Sequence, residues 1–336
     1  MKNLLYIGNK LSSKGKTQTS IETLGKLLET EGFIVNTASS KSNKLLRLLD
    51  MMFSVLKYRK QADYVLIDTY STSNFYYAYI VSQLCRLLKL GYIPILRGGN
   101  LPSRLEKSPV LSKAIFKNAY INVAPSLYMK SNFEDLGYGN VVCIPNSIAL
   151  KNYHFKERTF SKVSLLWVRS FSKIYNPLLA IKVLKALKDE NIDAELCMVG
   201  PDVDGSMQKA RLLAEELDVD VNFTDKLSKQ DWITLSESYN IFINTTNFDN
   251  MPVSVIEAMA LGLPVISTNV GGMPFLIEHN KTGVLVTPNS EEAFVKSIKE
   301  LLDSPDKTKE IERLARKQAA LFDWEIIKYQ WIKVLQ

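Results

Sequence analysis

The chain has 336 residues, 46% hydrophobic and 23% charged, with a formal net charge of +7. That is enough apolar matter for a large core and enough length for two domains, which excludes a mainly disordered chain. Three cysteines and two histidines leave little from which to build a disulfide framework or a His/Cys metal centre. The positive excess predicts an anionic partner without choosing among nucleotide, nucleic acid and membrane.

Short β-rich runs alternate with helix-length amphipathic segments, the pattern of βαβ units and mainly parallel sheets. Asn3 to Gly8 reads as the first strand, followed by a loop with Gly15, Lys16 and Thr17 ahead of a helical pattern running to Thr30. A P-loop needs four residues between its first Gly and the Gly-Lys-Thr, whereas six separate Gly8 from Gly15. Asp68, closing "YVLID", would suit a magnesium-holding strand, so a P-loop-like nucleotide hydrolase on Lys16, Thr17 and Asp68 stands as an alternative. Otherwise the 8–17 loop, Gly15 included, offers amide N–H groups at a helix start to a phosphate or an acceptor.

Phe33 to Ala38 is the second strand. "KSNKLLRLLDMMFSVLKYRK", residues 41–60, mixes apolar residues with Lys44, Arg47, Lys57, Arg59 and Lys60. It reads either as a basic amphipathic helix on an anionic bilayer or as a core-facing helix with a solvated basic side. Strands follow at Tyr64 to Asp68, Tyr92 to Leu96, Tyr120 to Ala124 and Val141 to Ile144. Arg86 and Lys89 interrupt the longest apolar stretch, Ala78 to Leu96, and the chain opens without a cleavable apolar leader, which predicts a cytoplasmic protein. Cys85, Cys143 and Cys197 each lie in an apolar segment and read as buried thiols. Gly98-Gly99 in "ILRGGNLPSR" stands at a strand end; Arg97, Gly98, Gly99, Asn100 and Arg104 are therefore acceptor-site candidates, with a plain turn as the alternative.

Pro145 to Lys162, polar and without period, reads as an interdomain linker between a first domain of 1–150 and a second of 163–318. The second series of strands is Ser164 to Val168, Ala194 to Val199, Val221 to Thr224, Ile241 to Asn244, Pro264 to Ser267 and Val284 to Val286. The fold class expected is α/β: two Rossmann-like, doubly wound domains facing across a cleft. Asp202-Val203-Asp204 fits a turn better than a cation site, and no metal site is expected. Nucleic acid is the weakest partner, for want of zinc-finger spacing, basic heptads or an RNA-binding aromatic signature.

"INTTNFDNMPVSVIEAMALGLPVISTNVGG", Ile243 to Gly272, is the most informative stretch. It reads as strand, polar loop, a helix starting near Pro252, a Gly262 break, strand and a Gly-Gly turn. That helix start would offer the amides of Val253, Ser254, Val255 and Ile256 to an anion. Glu257, one turn in, suits a bidentate acceptor for sugar hydroxyls, the alternative being a solvated helix residue. The tail 321–336, with Trp324, Ile327, Trp331 and Val334 at helical spacing, reads as a helix covering an apolar groove.

"DNMPVSVIEAMALGLPV" resembles the signature of the retaining GT4 glycosyltransferases of GT-B fold: an acidic residue, seven others, Glu, then an Ala-Met-Ala-x-Gly-x-Pro-Val core. Asp249 stands where the family usually has Glu. "SLLWVRSFSKIYNPLLAIKVLKAL" is similar to the first strand and helix of the family's donor domain. The resemblance implies Arg169 and Lys173 on the donor diphosphate and Lys226 and Leu227 near the base. It likewise implies Asp249 and the backbone of Asn250, Met251, Pro252 and Val253 on sugar hydroxyls, Glu257 on ribose, and the tail helix crossing back onto the first domain. The implied reaction is transfer of a hexose-type sugar from a nucleotide sugar, UDP-linked first and GDP-linked second, with retention and no required metal or other cofactor. The acceptor would be a glycan or a lipid-linked one, as in bacterial surface polysaccharide or glycoconjugate synthesis, at the inner face of the membrane. Asp249 in place of Glu also leaves room for a catalytically silent sugar-nucleotide-binding protein.

Overall fold

The structure is a computed structural model that describes residues 2–11 and 19–336; Gly15, Lys16 and Thr17 lie outside the described residues. The chain divides into two compact units, one running to Pro145 and taking in Trp324–Gln336, the other spanning Asn146–Asp323. In chain order the first unit has β1 (Asn3–Ile7), α1 (Ser20–Thr30), β2 (Ile34–Ala38), α2 (Lys44–Tyr58), β3 (Tyr64–Thr69) and α3 (Asn74–Leu87). It continues with β4 (Tyr92–Leu96), α4 (Leu101–Lys107), α5 (Pro109–Phe116), β5 (Asn122–Ala124), α6 (Leu127–Asp135) and β6 (Val141–Cys143). The second unit has β7 (Val163–Val168), α7 (Pro177–Asp189), β8 (Ala194–Val199), α8 (Ser206–Glu216), β9 (Asn222–Thr224), α9 (Lys229–Ser236) and β10 (Ile241–Asn244). Then come α10 (Val253–Ala260), β11 (Val265–Thr268), α11 (Met273–Leu276), β12 (Val284–Val286), α12 (Glu291–Asp303) and α13 (Pro305–Ala320), before α14 (Trp324–Leu335).

Each unit carries one six-stranded parallel sheet, ordered β2-β1-β3-β4-β5-β6 and β12-β11-β10-β7-β8-β9. Period-two alternation sends side chains to both faces, and both are covered, so the strands read as near-continuous apolar runs. In the first unit Leu4 and Tyr6 pack with α1 on one face, while Leu5 and Ile7 pack with Met51 and Val55 of α2 on the other. The tail supplies Trp324, Ile327, Trp331 and Leu335 to the first of these clusters, and Trp324 Nε1 donates to Glu31 at 3.0 Å. The tail helix begins at Trp324 rather than Leu321, because Leu321 closes α13 with its N–H on the Gln318 carbonyl at 3.1 Å.

Composition marks residues 145–162 as a linker, but from Asn146 on they belong to the second unit. Arg158 is buried there, its guanidinium donating to the Ser236, Tyr239 and Leu261 carbonyls. Helix α2 packs Met51 and Val55 on the core, but its basic residues do not all lie on a solvated side. Arg47 is turned inward, donating to the Lys41 and Ser42 carbonyls and to Asn9, while Leu45, Leu46, Leu49, Phe53 and Leu56 are exposed.

Candidate functional site

In the second sheet, β7 and β10 are neighbours with Phe242 opposite Leu166, and chain order reverses between them. Ligands of open α/β sheets gather at the carboxyl ends of strands flanking such a switch point. Two loops leave here: the one opened by Arg169 after β7, and residues 245–252 after β10. They are stitched together, since the Asn247 N–H donates to the Ile174 carbonyl at 2.8 Å and Asn247 Nδ2 to the Lys173 carbonyl at 3.1 Å.

Arg169 Nη2 forms an ion pair with Asp249 Oδ2, and its guanidinium lies 3.9 Å from the centroid of the Tyr175 ring. Stacking and pairing fix the fork in place. Its Nε is buried and has no hydrogen-bond partner among the described residues. Burial pushes the Asp249 carboxyl above its ordinary range, against the pull of Arg169. The two residues expected on different parts of a donor are thus paired with each other.

Three glycines make this approach possible. A Cβ on Gly200 would sit 1.9 Å from the Arg169 carbonyl oxygen, one on Gly271 2.2 Å from that of Asp249, and one on Gly272 1.8 Å from that of Asn250. The Gly-Gly turn therefore serves the 249–250 loop, whose Asp249 carbonyl accepts the Gly272 N–H at 2.9 Å.

At the start of α10, the Pro252 carbonyl accepts the N–H groups of Val255 and Ile256. This narrows the expected row of four free amides to those of Val253 and Ser254, for which no partner exists among the described residues. Met251, Val255 and Ile256 turn their side chains into the core, so Met251 and Pro252 contribute backbone to the loop. Asn250 is buried. Glu257 is buried as well and accepts from the Tyr153 hydroxyl at 2.7 Å and from Lys229. Burial, reinforced by Glu257, drives the Tyr153 hydroxyl well above the usual tyrosine range.

Lys173 is exposed in a short 3-10 turn whose first N–H is held by Asp204, one of the aspartates read as a turn. Asp204 accepts from the Ser206 and Ser172 hydroxyls and from the Lys173 N–H, which holds its carboxyl down at about 2, Ser206 contributing most. Asp202 accepts from the Gly205 N–H at 3.0 Å. Lys226 is exposed and Leu227 packs on the core beneath α10. Tyr153 and Lys229 escape sequence reasoning: one sits in the apparent linker, the other two residues past Leu227 on a helix start.

The candidates of the first unit form a separate group. Asp68 pairs with Arg97 Nε at 3.3 Å and accepts from the Tyr6 hydroxyl at 2.9 Å. Burial raises Asp68 and Tyr6 above their ordinary ranges; Arg97 is held protonated by Tyr6 and Asp68 against its own burial. Gly8 fits an approach rather than a phosphate: a Cβ there would lie 2.8 Å from Asp68 Oδ2, and its N–H and carbonyl bond to Ala38 and Ser39. Thr19 and Glu22 form a capping box at the start of α1, which engages the N–H groups of these two residues. Gly98 allows contact with Ser71, whose N lies 2.6 Å from a Cβ built there. Gly99 is partly buried, Asn100 is exposed at the start of α4, and Arg104 stacks on Phe75 and Tyr76 at 4.6 and 5.1 Å.

Residues 152–318 match the family model described as glycosyl transferases group 1. This segment is similar to that family. It encloses Arg169, Asp249, Glu257, Tyr153 and Lys229. The chain is 28% identical over 199 residues to an uncharacterized glycosyltransferase of Haemophilus influenzae, covering 58% of this chain and 55% of that one. It thus spans about half the length of that curated relative. Among solved structures it is similar to sucrose-phosphate synthase from Thermosynechococcus elongatus, with TM-score 0.83, 17% identity and coverage of 99% and 98%. A complex of Anabaena HepE with UDP-glucose gives TM-score 0.78, 16% identity and coverage of 100% and 99%. With its two parallel six-stranded sheets, the chain has the two-domain α/β GT-B fold.

Proposed function

We propose that the protein is a retaining GT4 glycosyltransferase that takes a hexose-type sugar from a nucleotide sugar, UDP-linked first and GDP-linked second. The observation that carries this reading is the junction of Arg169, with its unpartnered buried Nε, and two free amides at the start of α10 within the segment that matches the glycosyl transferase family model. Guanidinium and amide donors suit a diphosphate whose charge grows as the sugar leaves. Asp249 and the 250–253 backbone would hold sugar hydroxyls, Glu257 the ribose, Lys226 and Leu227 the base, and Lys173 would reach the diphosphate from the solvent side. UDP-glucose in HepE supports a UDP-linked donor as the first to try.

In this reading the bond from the anomeric carbon to the diphosphate oxygen breaks while the acceptor hydroxyl attacks from the same face. A diphosphate oxygen takes the acceptor's proton. The acceptor is a glycan or lipid-linked hydroxyl compound near Arg97, Gly98, Gly99, Asn100 and Arg104. No described helix is long and apolar enough to cross a membrane. The exposed leucines and Phe53 of α2 are the basis for a peripheral bilayer contact: residues 41–60 hold six basic residues and one acidic, 6 − 1 = +5, against +7 for the whole chain.

Thermal stabilisation by a panel of nucleotide sugars tests the donor reading. A donor at a hundred times its Kd should add roughly 2.7 kcal/mol. Stabilisation by ATP with magnesium, and by no nucleotide sugar, would overturn it.

A further inference from the structure

A buried carboxylate must satisfy the lone pairs of both its oxygens. At Glu257 both protein donors meet on one atom: the Tyr153 hydroxyl and Lys229 Nζ each donate to Oε1, and Oε2 has no hydrogen bond among the described residues. The two donors differ in kind. Tyr153 is buried, whereas the Lys229 side chain is 56% exposed at the first turn of α9.

Tyr153 is itself locked to the helix that bears Glu257. Its carbonyl accepts Arg316 Nη1 at 2.7 Å, and the same nitrogen donates to the carbonyl of Ala260, the last residue of α10. Seven residues upstream, Asn146 Nδ2 donates to the Met251 carbonyl at 3.0 Å, just before the helix begins. Residues 146–153 therefore grip α10 and its approach at both ends, and the phenol is set against Glu257 by backbone anchors rather than by its own rotamer alone.

We propose that Tyr153 is a positioning residue for donor recognition, which by engaging Oε1 turns Oε2 toward a ribose hydroxyl of the nucleotide. Lys229 supplies the second, exposed hold on Oε1. This rests on the nucleotide-sugar reading of the site and adds to it a specific division of labour between the two oxygens of one carboxylate.

Titration calorimetry of the full chain tests it, with UDP against 2′,3′-dideoxy-UDP and the corresponding guanosine pair in parallel. Wild type should bind the ribose form about tenfold more tightly, the worth of one hydrogen bond to a charged group. Tyr153→Phe should lose about that factor for UDP and none for the dideoxy form, so the preference collapses. Lys229→Met should remove about a threefold part of it. If wild type binds neither nucleoside diphosphate, the donor reading falls and this proposal with it. If wild type prefers the ribose form and Tyr153→Phe keeps that preference, or weakens both ligands alike, Tyr153 is a structural buttress and the proposal alone falls. Should Tyr153→Phe fail to fold, exposed Lys229→Met decides the matter, an unchanged preference overturning the anchoring of Oε1.

Discussion

Each unit holds an aspartate–arginine pair at the carboxyl ends of its central strands, Asp68 with Arg97 in one and Asp249 with Arg169 in the other. Their surroundings differ. Tyr6 and Arg97 both reach Asp68 Oδ1 from the protein's own interior, Oδ2 has no partner among the described residues, and Thr19 and Glu22 form a capping box at the nearby start of α1. Beside the Asp249 pair, α10 begins without a side-chain cap, two amides are free, and Arg169 keeps an unpartnered Nε. An ion pair at a strand end is thus no mark of a site by itself. What marks one is donor capacity left over after the protein's own groups have been matched.

This contrast breaks most sharply under truncation. Arg169→Ala and Glu257→Ala should each lower transfer by about a hundredfold or more while leaving the fold intact, read by steady-state kinetics beside thermal melts. Asp68→Ala, removing the carboxylate that pairs with Arg97, should cost about 3–5 kcal/mol of stability, measured by denaturant unfolding. A large loss of turnover in folded Asp68→Ala with unchanged stability would invert the comparison. Gly272→Ala must push the Asn250 carbonyl aside; a loss of about 1–3 kcal/mol, with weakened nucleotide binding, is expected by melting and calorimetry.

Away from both pairs, Glu312 is fully buried, and burial raises its carboxyl to about 7, against the Arg158 N–H and charge. The native state then holds a proton that the unfolded chain releases near the ordinary glutamate range. Stability contributed by the neutral form is complete below that range and is lost as pH rises through about 7. Glu312→Gln should flatten that slope, a change on the order of 1–2 kcal/mol between pH 5 and 8, followed by unfolding at each pH. The smallest effect on fold should come from Leu49→Ser with Phe53→Ser on α2. Stability should move by about 0.5 kcal/mol or less, while sedimentation with anionic vesicles should fall severalfold; undiminished sedimentation would remove the bilayer contact.

The strands were legible because a parallel sheet covered on both faces writes an apolar run into the chain, and every predicted run overlaps a strand. The loop from Asp249 to Glu257 was legible because Pro252 at a helix start and Gly271-Gly272 carry local backbone signals. Tyr153 was not, since its partner lies 104 residues away and its own neighbourhood reads as polar and aperiodic. Nor was the inward turn of Arg47: its partners are the Lys41 and Ser42 carbonyls and Asn9, and no periodicity of side-chain polarity reports a carbonyl. The count of free amides on α10 likewise depends on where the Pro252 carbonyl points, a property of backbone angles rather than of residue type.

The clustering of Trp324, Ile327, Trp331 and Leu335 with Leu4, Tyr6 and Leu28 sets an order of events during translation. The amino-terminal unit emerges first from the ribosome yet lacks one wall of its interior until residues 324–335 follow. The unit made in between contains all of its own elements and can close earlier. A nascent chain stalled before residue 324 should therefore present a protease-resistant middle and a vulnerable beginning.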